Sequence, residues 1–315
     1  MDEAGRIAEL ARLLGGGGKG IEVGIGDDAA VLSAPAGRLV WTIDEQVEGV
    51  HFRRDLASWR DVGWRSYMAA ASDVAAMGAT PWCALAALVV PDDVDDDALR
   101  SIAGGQRAAA DAAGAPVIGG NLARGPAMSI ATTLLGTCAR PVERRGAVPG
   151  DGLWLAGRVG LAAAGLRALE AGKALADPRL AVAVAAWRAP SALFAEGRAM
   201  AAIARAAVDV SDGLARDAGH LADASGVQLV LDEAPLLEDE ALLGAAAALG
   251  VSALELALHG GEDYALIAAS TDALDGFRCI GEVRVGRGLV LRRGTSEHPL
   301  EPRGFDHFTH VTGGR

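Results

Sequence analysis

Residues 24–32 read Gly-Ile-Gly-Asp-Asp-Ala-Ala-Val-Leu, and Gly24, Gly26 and Ala29 fall at the G-x-G-x-x-A spacing of a dinucleotide-binding turn. The charge is wrong for that turn. A pyrophosphate approaches such a turn along backbone amides, and Asp27 and Asp28 repel it unless a divalent cation stands between them. A lone Gly-Asp-Asp also serves as a solvated turn beside a strand. The rest of the chain has to separate the two readings.

Upstream, Ile7, Leu10, Ala11 and Leu14 recur at helical spacing, and Gly15 to Gly18 stop that helix. Lys19 then imitates a Walker A loop. The imitation fails because Leu13 stands where the first glycine belongs, Gly20 replaces the Mg²⁺-holding hydroxyl residue, and a helix rather than a strand precedes it.

Downstream, the pattern predicts strands at 29–32 and 39–43. A helix follows from Ser58, with Asp61 completing a capping box, to Met77, where Gly78 ends it. A strand at 82–90, a helix at 95–113 and strands at 115–118 and 128–137 complete a first unit. The second half alternates again, with strands at 153–156, 207–210, 227–231, 263–268 and 277–283, helices between 160 and 205, and a helix at 214–224. The turn-rich segment 140–152, with Pro141, Gly146, Pro149 and Gly150, separates the halves. The expectation is an α/β (α+β) protein of two domains, 1–139 and 153–315, joined by the linker 140–152.

Composition narrows the function classes. The net charge of −12, with no basic block interleaved with aromatics, argues against nucleic acid as a partner. An acidic protein that handles polyphosphates must bring them in with cations. Hydrophobic residues make up 51% and aromatics 4%, so the core is expected to be aliphatic. Cys83, Cys138 and Cys279 are odd in number and far apart, which argues against a disulfide framework or a zinc site. Asp2 and Glu3 stand where a secretory signal would be basic, and no apolar run approaches the ~20 residues of a membrane span. A soluble cytoplasmic protein with no membrane partner is expected.

The acidic turn recurs. Asp44 follows the strand at 39–43 in TIDEQVEGVHF, which also carries His51; Asp73 lies beside an apolar helix face in SDVAAMGATP; Asp209, Ser211 and Asp212 close a strand in VDVSDG. A carboxylate near an apolar surface is normally paired, protonated or on a metal. Mg²⁺ favours carboxylate oxygens and takes its remaining ligands from water and phosphate, whereas zinc would call for His and Cys. No G-x-S-x-G element supports a serine hydrolase. IGGNLARGP at 118–126, read as a strand exit with Arg124, and HGGEDYAL at 259–266, with Glu262 and Asp263, are further candidate phosphate or substrate handles, although a pair of glycines before a strand is common and each segment singly reads as a turn.

In order and spacing these motifs resemble one family. GIGDDAAVL, D-x-x-VEGVHF, SD-x-AAMGATP, IGG-x-x-x-RGP, PGD, DVSDGL, HGGEDY-x-L, IGEV and RGFDHF are similar to the landmarks of thiamine-monophosphate kinases, relatives of aminoimidazole-ribonucleotide synthetases, and the likeness spans nearly the whole chain. The resemblance implies a two-domain architecture in which the N-terminal sheet domain forms a homodimer, a C-terminal α/β domain follows, and ATP lies in the cleft between the domains. It implies direct transfer of the γ-phosphoryl of ATP to thiamine monophosphate. By likeness, Asp28, Thr42, Asp44, Asp73, Asp209 and Asp212 hold several Mg²⁺ ions, and Asn121 occupies a further ligand position. Gly120, Arg144 and Ser211 contact ATP, and His51, Glu262 and Phe305 contact the thiamine moiety. The acceptor phosphate is already ionised, so no side chain is needed as a general base.

This chain departs from the family pattern at Asn121 and Leu122, where an Asp and a hydroxyl residue are usual, and at Ile43, Ala70 and Glu45. Two readings of Asn121 stand side by side: Glu45, next to Asp44, returns to the same cation cluster the charge lost at Asn121, or the position simply tolerates Asn. Two other readings stand beside the kinase: a kinase or synthetase of the same superfamily acting on another small substrate, and a nucleotide-binding paralogue without turnover.

Overall fold

The computed structural model describes residues 1–15, 17–26, 29–173 and 177–305. They form two compact units, Met1–Val142 with Arg188–Ile203, and Glu143–Trp187 with Ala204–Arg315.

The first unit contains α1 (Glu3–Leu14), β1 (Ile21–Val23), β2 (Val31–Leu32), β3 (Arg38–Val47), α2 (Trp59–Ala76), β4 (Thr80–Val90), α3 (Asp96–Ala113), β5 (Val117–Arg124) and β6 (Ser129–Cys138). β1 and β2 form a small antiparallel pair. The other four strands make one sheet in the order β3-β6-β4-β5, parallel only between β4 and β5. The capping box expected at Ser58 is present: Asp61 N–H donates to Ser58 Oγ at 3.2 Å and Ser58 N–H to Asp61 Oδ2 at 2.9 Å. α2 packs against α3 and the sheet, burying Val62, Tyr67, Met68, Ala71 and Val74.

In the second unit the strands are β7 (Gly152–Ala156), β8 (Ala206–Val210), β9 (Gln228–Asp232), β10 (Ala265–Ser270), β11 (Arg278–Arg284), β12 (Gly288–Arg293) and β13 (Ser296–Leu300). They form a seven-stranded sheet ordered β13-β12-β9-β11-β7-β10-β8, with only β9 and β12 parallel. The helices are α4 (Leu161–Glu170), α5 (Ala181–Arg188), whose last residue falls in the first unit, α7 (Leu214–Ser225), α8 (Glu233–Leu236), α9 (Glu240–Leu249) and α10 (Ala253–His259); α6 (Phe194–Ala201) belongs to the first unit. The core is aliphatic as expected, with Leu153, Leu155, Val208, Leu229, Leu231 and Ile267 of the sheet packed with Leu214, Leu221, Leu242 and Leu258 of the helices. No single helix among the described residues is long and apolar enough to cross a membrane.

Two boundary expectations change. β3 runs on to Val47, so Asp44 lies within a strand rather than at its end. β5 runs from Val117 to Arg124, so Gly120 and Asn121 are strand residues and not a strand exit. The cause is sheet pairing: the parallel register Ala86 to Gly120 through Val90 to Arg124 holds the glycines extended, overriding their low strand preference.

Candidate functional site

In the first unit the alternation of β3 sorts its side chains onto two faces. Val40, Thr42, Asp44 and Gln46 share the side on which α2 packs, while Leu39, Trp41, Ile43 and Glu45 share the other and are exposed. Thr42 Oγ1 donates to Asp73 Oδ2 of α2 at 2.5 Å, which joins two expected ligands directly. Asp44 lies two residues along the same face, paired in register with Thr132, whose buried Oγ1 has no hydrogen-bond partner among the described residues. Every donor here is a hard oxygen, which suits Mg²⁺. Among the described residues no three carboxylate, imidazole or thiol groups form a cage of their own, and Mg²⁺ does not require one, since waters and substrate phosphates complete its shell. Asp28 lies outside the described residues.

Asn121 and Glu45 do not join this group. The rows across the sheet run Asp44, Thr132, Ala86, Gly120 and Glu45, Ala131, Ala87, Asn121. Glu45 therefore points away from Asp44, and Asn121 sits on the opposite edge strand, three strand spacings or roughly 14 Å from β3. The idea that Glu45 restores charge to the cation cluster of Asp44 is overturned by the period of the strand. Gly120 approaches β4 so closely that an added Cβ would lie 1.8 Å from the Ala86 carbonyl oxygen, so only glycine fits. Beside it is a cavity of about 140 Å³, bounded by Ile7, Leu10, Leu14, Leu88, Gln106 and the Gly119–Leu122 segment. An apolar slot next to an edge strand, whose outward amides and carbonyls point off the sheet, suits a flat heteroaromatic ring. Arg124 pairs instead with Asp92 at 3.1 Å on the surface. His51 closes the turn after β3: its Nδ1 accepts from Val47 N–H at 3.0 Å, so the neutral ring carries its proton on Nε2.

In the second unit β8 delivers Asp209, only 3% exposed, and then the loop Ser211 to Gly213. Asp217, in the first turn of α7, receives all three amides of that loop on Oδ2: Ser211 at 3.0 Å, Asp212 at 3.1 Å and Gly213 at 3.2 Å. Burial, followed by the charge of Asp212, pushes the Asp217 carboxyl up to about 7, against the pull of the three amides. The loop's carbonyls are engaged as well. Ser211 O accepts from Glu262 N–H at 2.7 Å, and Asp212 O from Phe305 N–H at 3.0 Å. A Cβ on Gly261 would lie 2.7 Å from Ser211 O, so the segment before Glu262 must be glycine to lie this close. Glu262 (φ 65°) and Tyr264 (φ 49°) both occupy left-handed backbone, and Asp263 between them accepts from Gly160 N–H at 2.5 Å and Ala162 N–H at 3.1 Å at the start of α4. Burial lifts the Asp263 carboxyl to about 7. Arg216 Nε lies 3.4 Å from Asp212 Oδ2. Arg144 lies in an exposed segment held by Ser225, whose Oγ donates to Arg144 O at 3.1 Å.

This unit thus brings together Asp209, Ser211, Asp212, Glu262 and Phe305. Asp217 and Trp187, whose Nε1–H donates to Glu262 Oε2 at 2.7 Å, were not singled out in the sequence. The position of Asp217, an acid in the first turn after S-D-G, is a signal that capping logic could have used. Trp187 carries no comparable local signal.

Residues 26–138 match the family model for the AIR synthase related protein N-terminal domain. Thiamine-monophosphate kinase of Mycobacterium tuberculosis strain H37Rv is 35% identical over 299 residues, covering 92% of this chain and 88% of that protein. The enzyme of the same name from Corynebacterium glutamicum is 37% identical over 293 residues, with 90% and 88% covered. The solved structure of AaThiL complexed with AMPPCP and TMP aligns with a TM-score of 0.82 at 31% identity, covering 97% of each chain.

Proposed function

Because the chain belongs to the thiamine-monophosphate kinase family, we propose that it transfers the γ-phosphoryl of ATP to the phosphate of thiamine monophosphate, giving thiamine diphosphate and ADP. The observation that carries this reading is the Ser211–Gly213 loop. Its side chains are the ones expected at ATP and metal, and its carbonyls hold Glu262 and Phe305, the ones expected at the acceptor. One tripeptide therefore registers donor and acceptor groups against each other, which is what in-line transfer between two phosphates requires.

Thr42, Asp44 and Asp73, with Asp28, would hold Mg²⁺ in the first unit, Asn121 would do so apart from them on β5, and Asp209 and Asp212 would hold Mg²⁺ in the second. Bound Mg²⁺ supplies neutralisation of the phosphate charge during transfer. Gly120, Arg144 and Ser211 contact ATP, and the cavity beside Gly120 takes the adenine. His51, through its Nε2–H, Glu262 and Phe305 hold the thiamine moiety. The acceptor oxygen is ionised at neutral pH, so the chain's own residues orient and neutralise rather than abstract a proton.

Residues 1–139 serve ATP, Mg²⁺ and dimerisation, 140–152 form the linker, and 153–315 form the C-terminal domain apart from Arg188–Ile203, which cluster with the first unit. The dimer reading is supported by the bare face of β3, where Leu39 is 55%, Trp41 70% and Ile43 66% exposed in one row. The aliphatic, acidic, cysteine-poor chain is assigned to the cytoplasm. The test is ADP release with thiamine monophosphate, with and without Mg²⁺, beside thiamine at equal concentration. Mg²⁺-dependent turnover that is faster with the monophosphate is expected; faster turnover with thiamine, or none with either acceptor, overturns the assignment.

A further inference from the structure

Trp187 lies at the end of α5, 1% exposed, far in sequence from every motif of the site. Its Nε1–H donates to Glu262 Oε2 at 2.7 Å. An indole nitrogen only donates, so the contact is matched to a carboxylate oxygen, and an ionised acceptor makes such a bond short and directional.

The backbone on the other side of that contact is held hard. Glu262 and Tyr264 carry positive φ, which side chains with a Cβ adopt at a cost and keep only where the surroundings over-determine them. The surroundings here are the bond from Glu262 N–H to Ser211 O, the 2.8 Å bond from Tyr264 N–H to Val210 O, and the part-buried Asp263 carboxyl on the start of α4. Both the main chain of Glu262 and one oxygen of its carboxylate are thereby fixed.

We propose that Trp187 is a positioning residue for the acceptor: it orients the Glu262 carboxylate toward an N–H donor on the acceptor's heterocycle. The proposal rests on the reading that Glu262 contacts the acceptor. A large buried side chain that only filled space would support the fold around α5 without favouring either substrate.

Trp187→Phe removes the donor and keeps a ring in the core; Glu262→Gln removes the charge. For the wild type, both single variants and the double variant, KM for thiamine monophosphate, KM for ATP and kcat are measured. Losing a hydrogen bond to a charged group predicts that Trp187→Phe raises KM for thiamine monophosphate by about tenfold and leaves KM for ATP within about twofold. The double variant is then no worse than Glu262→Gln alone, because both changes remove one interaction. Equal rises in both KM values, or losses that multiply in the double variant, overturn the role of Trp187. Wild-type protein that does not bind thiamine monophosphate overturns the acceptor reading and the role with it, whereas normal wild-type binding with an unchanged KM in Trp187→Phe overturns Trp187 alone. Should Trp187→Phe fail to fold, the indole N–H resonance of Trp187 in the intact protein decides. It is expected to move when thiamine monophosphate is added and to stay with ATP alone, and a resonance indifferent to the acceptor overturns the proposal.

Discussion

The backbone amide of Glu262 donates to the carbonyl oxygen of Ser211 across 2.7 Å, and one residue further along the loop the Asp212 carbonyl receives the amide of Phe305. The loop is in turn suspended from Asp217 by three amides. A change at Asp217 should therefore be felt by both substrates. Asp217→Ala is expected to lower kcat/KM for ATP and for thiamine monophosphate by at least about tenfold each, with Asp217→Asn milder because its amide oxygen still accepts. Initial rates with each substrate varied in turn check this. A loss confined to ATP would show that the loop does not carry the acceptor groups.

The 2.5 Å contact between Thr42 Oγ1 and Asp73 Oδ2 makes a graded series possible. Asp73→Ala removes a charged oxygen and should cost at least about a hundredfold in kcat/KM, about 2.7 kcal/mol, and Asp209→Ala the same. Thr42→Val removes only the hydroxyl and should cost about tenfold. The fold should survive in all three, as judged by circular dichroism. Near wild-type turnover of Asp73→Ala at limiting Mg²⁺ would remove it from the ligand set.

Trp41 and Ile43 occupy alternate positions on the bare face of β3 and are 70% and 66% exposed. A charge in that row should oppose pairing of two chains. Trp41→Glu is expected to convert a dimer to a monomer in sedimentation velocity without lowering the melting temperature of the monomer. An unchanged sedimentation coefficient would place the dimer contact elsewhere.

Much of this was legible in the chain because it is local. The Ser58 capping box, the aliphatic core and the acidic loop after β8 all follow from neighbours in sequence. What escaped was set by pairing at a distance. Gly120 and Asn121 look like a loop until β4 holds them extended, and Asp44 looks like a strand end until β6 continues its ladder to Val47. Helices α9 and α10 and the hairpin of β12 and β13 were not anticipated, although Asp239 and Ser252 cap the starts of the two helices and Gly250 ends α9, signals that capping logic could have used. The contact of Trp187 with Glu262 joins residues 75 apart, and no spacing rule reaches that far.

The Asp263 carboxyl, lifted by burial from an ordinary 3.8 to about 7, ties stability to pH. Between those values the unfolded chain has released the proton that the folded chain still holds. The contribution of Asp263 to stability is thus full below about pH 4 and is lost as pH rises toward about 7. Asp263→Asn has no such proton, so the gap in urea midpoint between wild type and variant should narrow from about pH 4.5 to about pH 7 and stay level above it. A gap that does not change with pH would show that Asp263 ionises near its ordinary value.

The last expectation concerns Asn121 and Glu45. In one chain they share a face and a row, but Ala131 and Ala87 separate them, at roughly 14 Å, and Glu45 points away from the Asp44 carboxylate. At that distance and on an exposed surface, screening leaves little interaction between a charge at one position and a charge at the other. Asn121→Asp should tighten Mg²⁺ activation by giving that edge a charged oxygen, and Glu45→Thr should leave activation nearly unchanged. In a double-mutant cycle on the Mg²⁺ dependence of turnover, the two effects are expected to add within about 0.5 kcal/mol. Restoration of a Glu45→Thr defect by Asn121→Asp, with a coupling above about 1 kcal/mol, would contradict the single-chain geometry. It would require the β3 edge of one chain to meet the β5 edge of another.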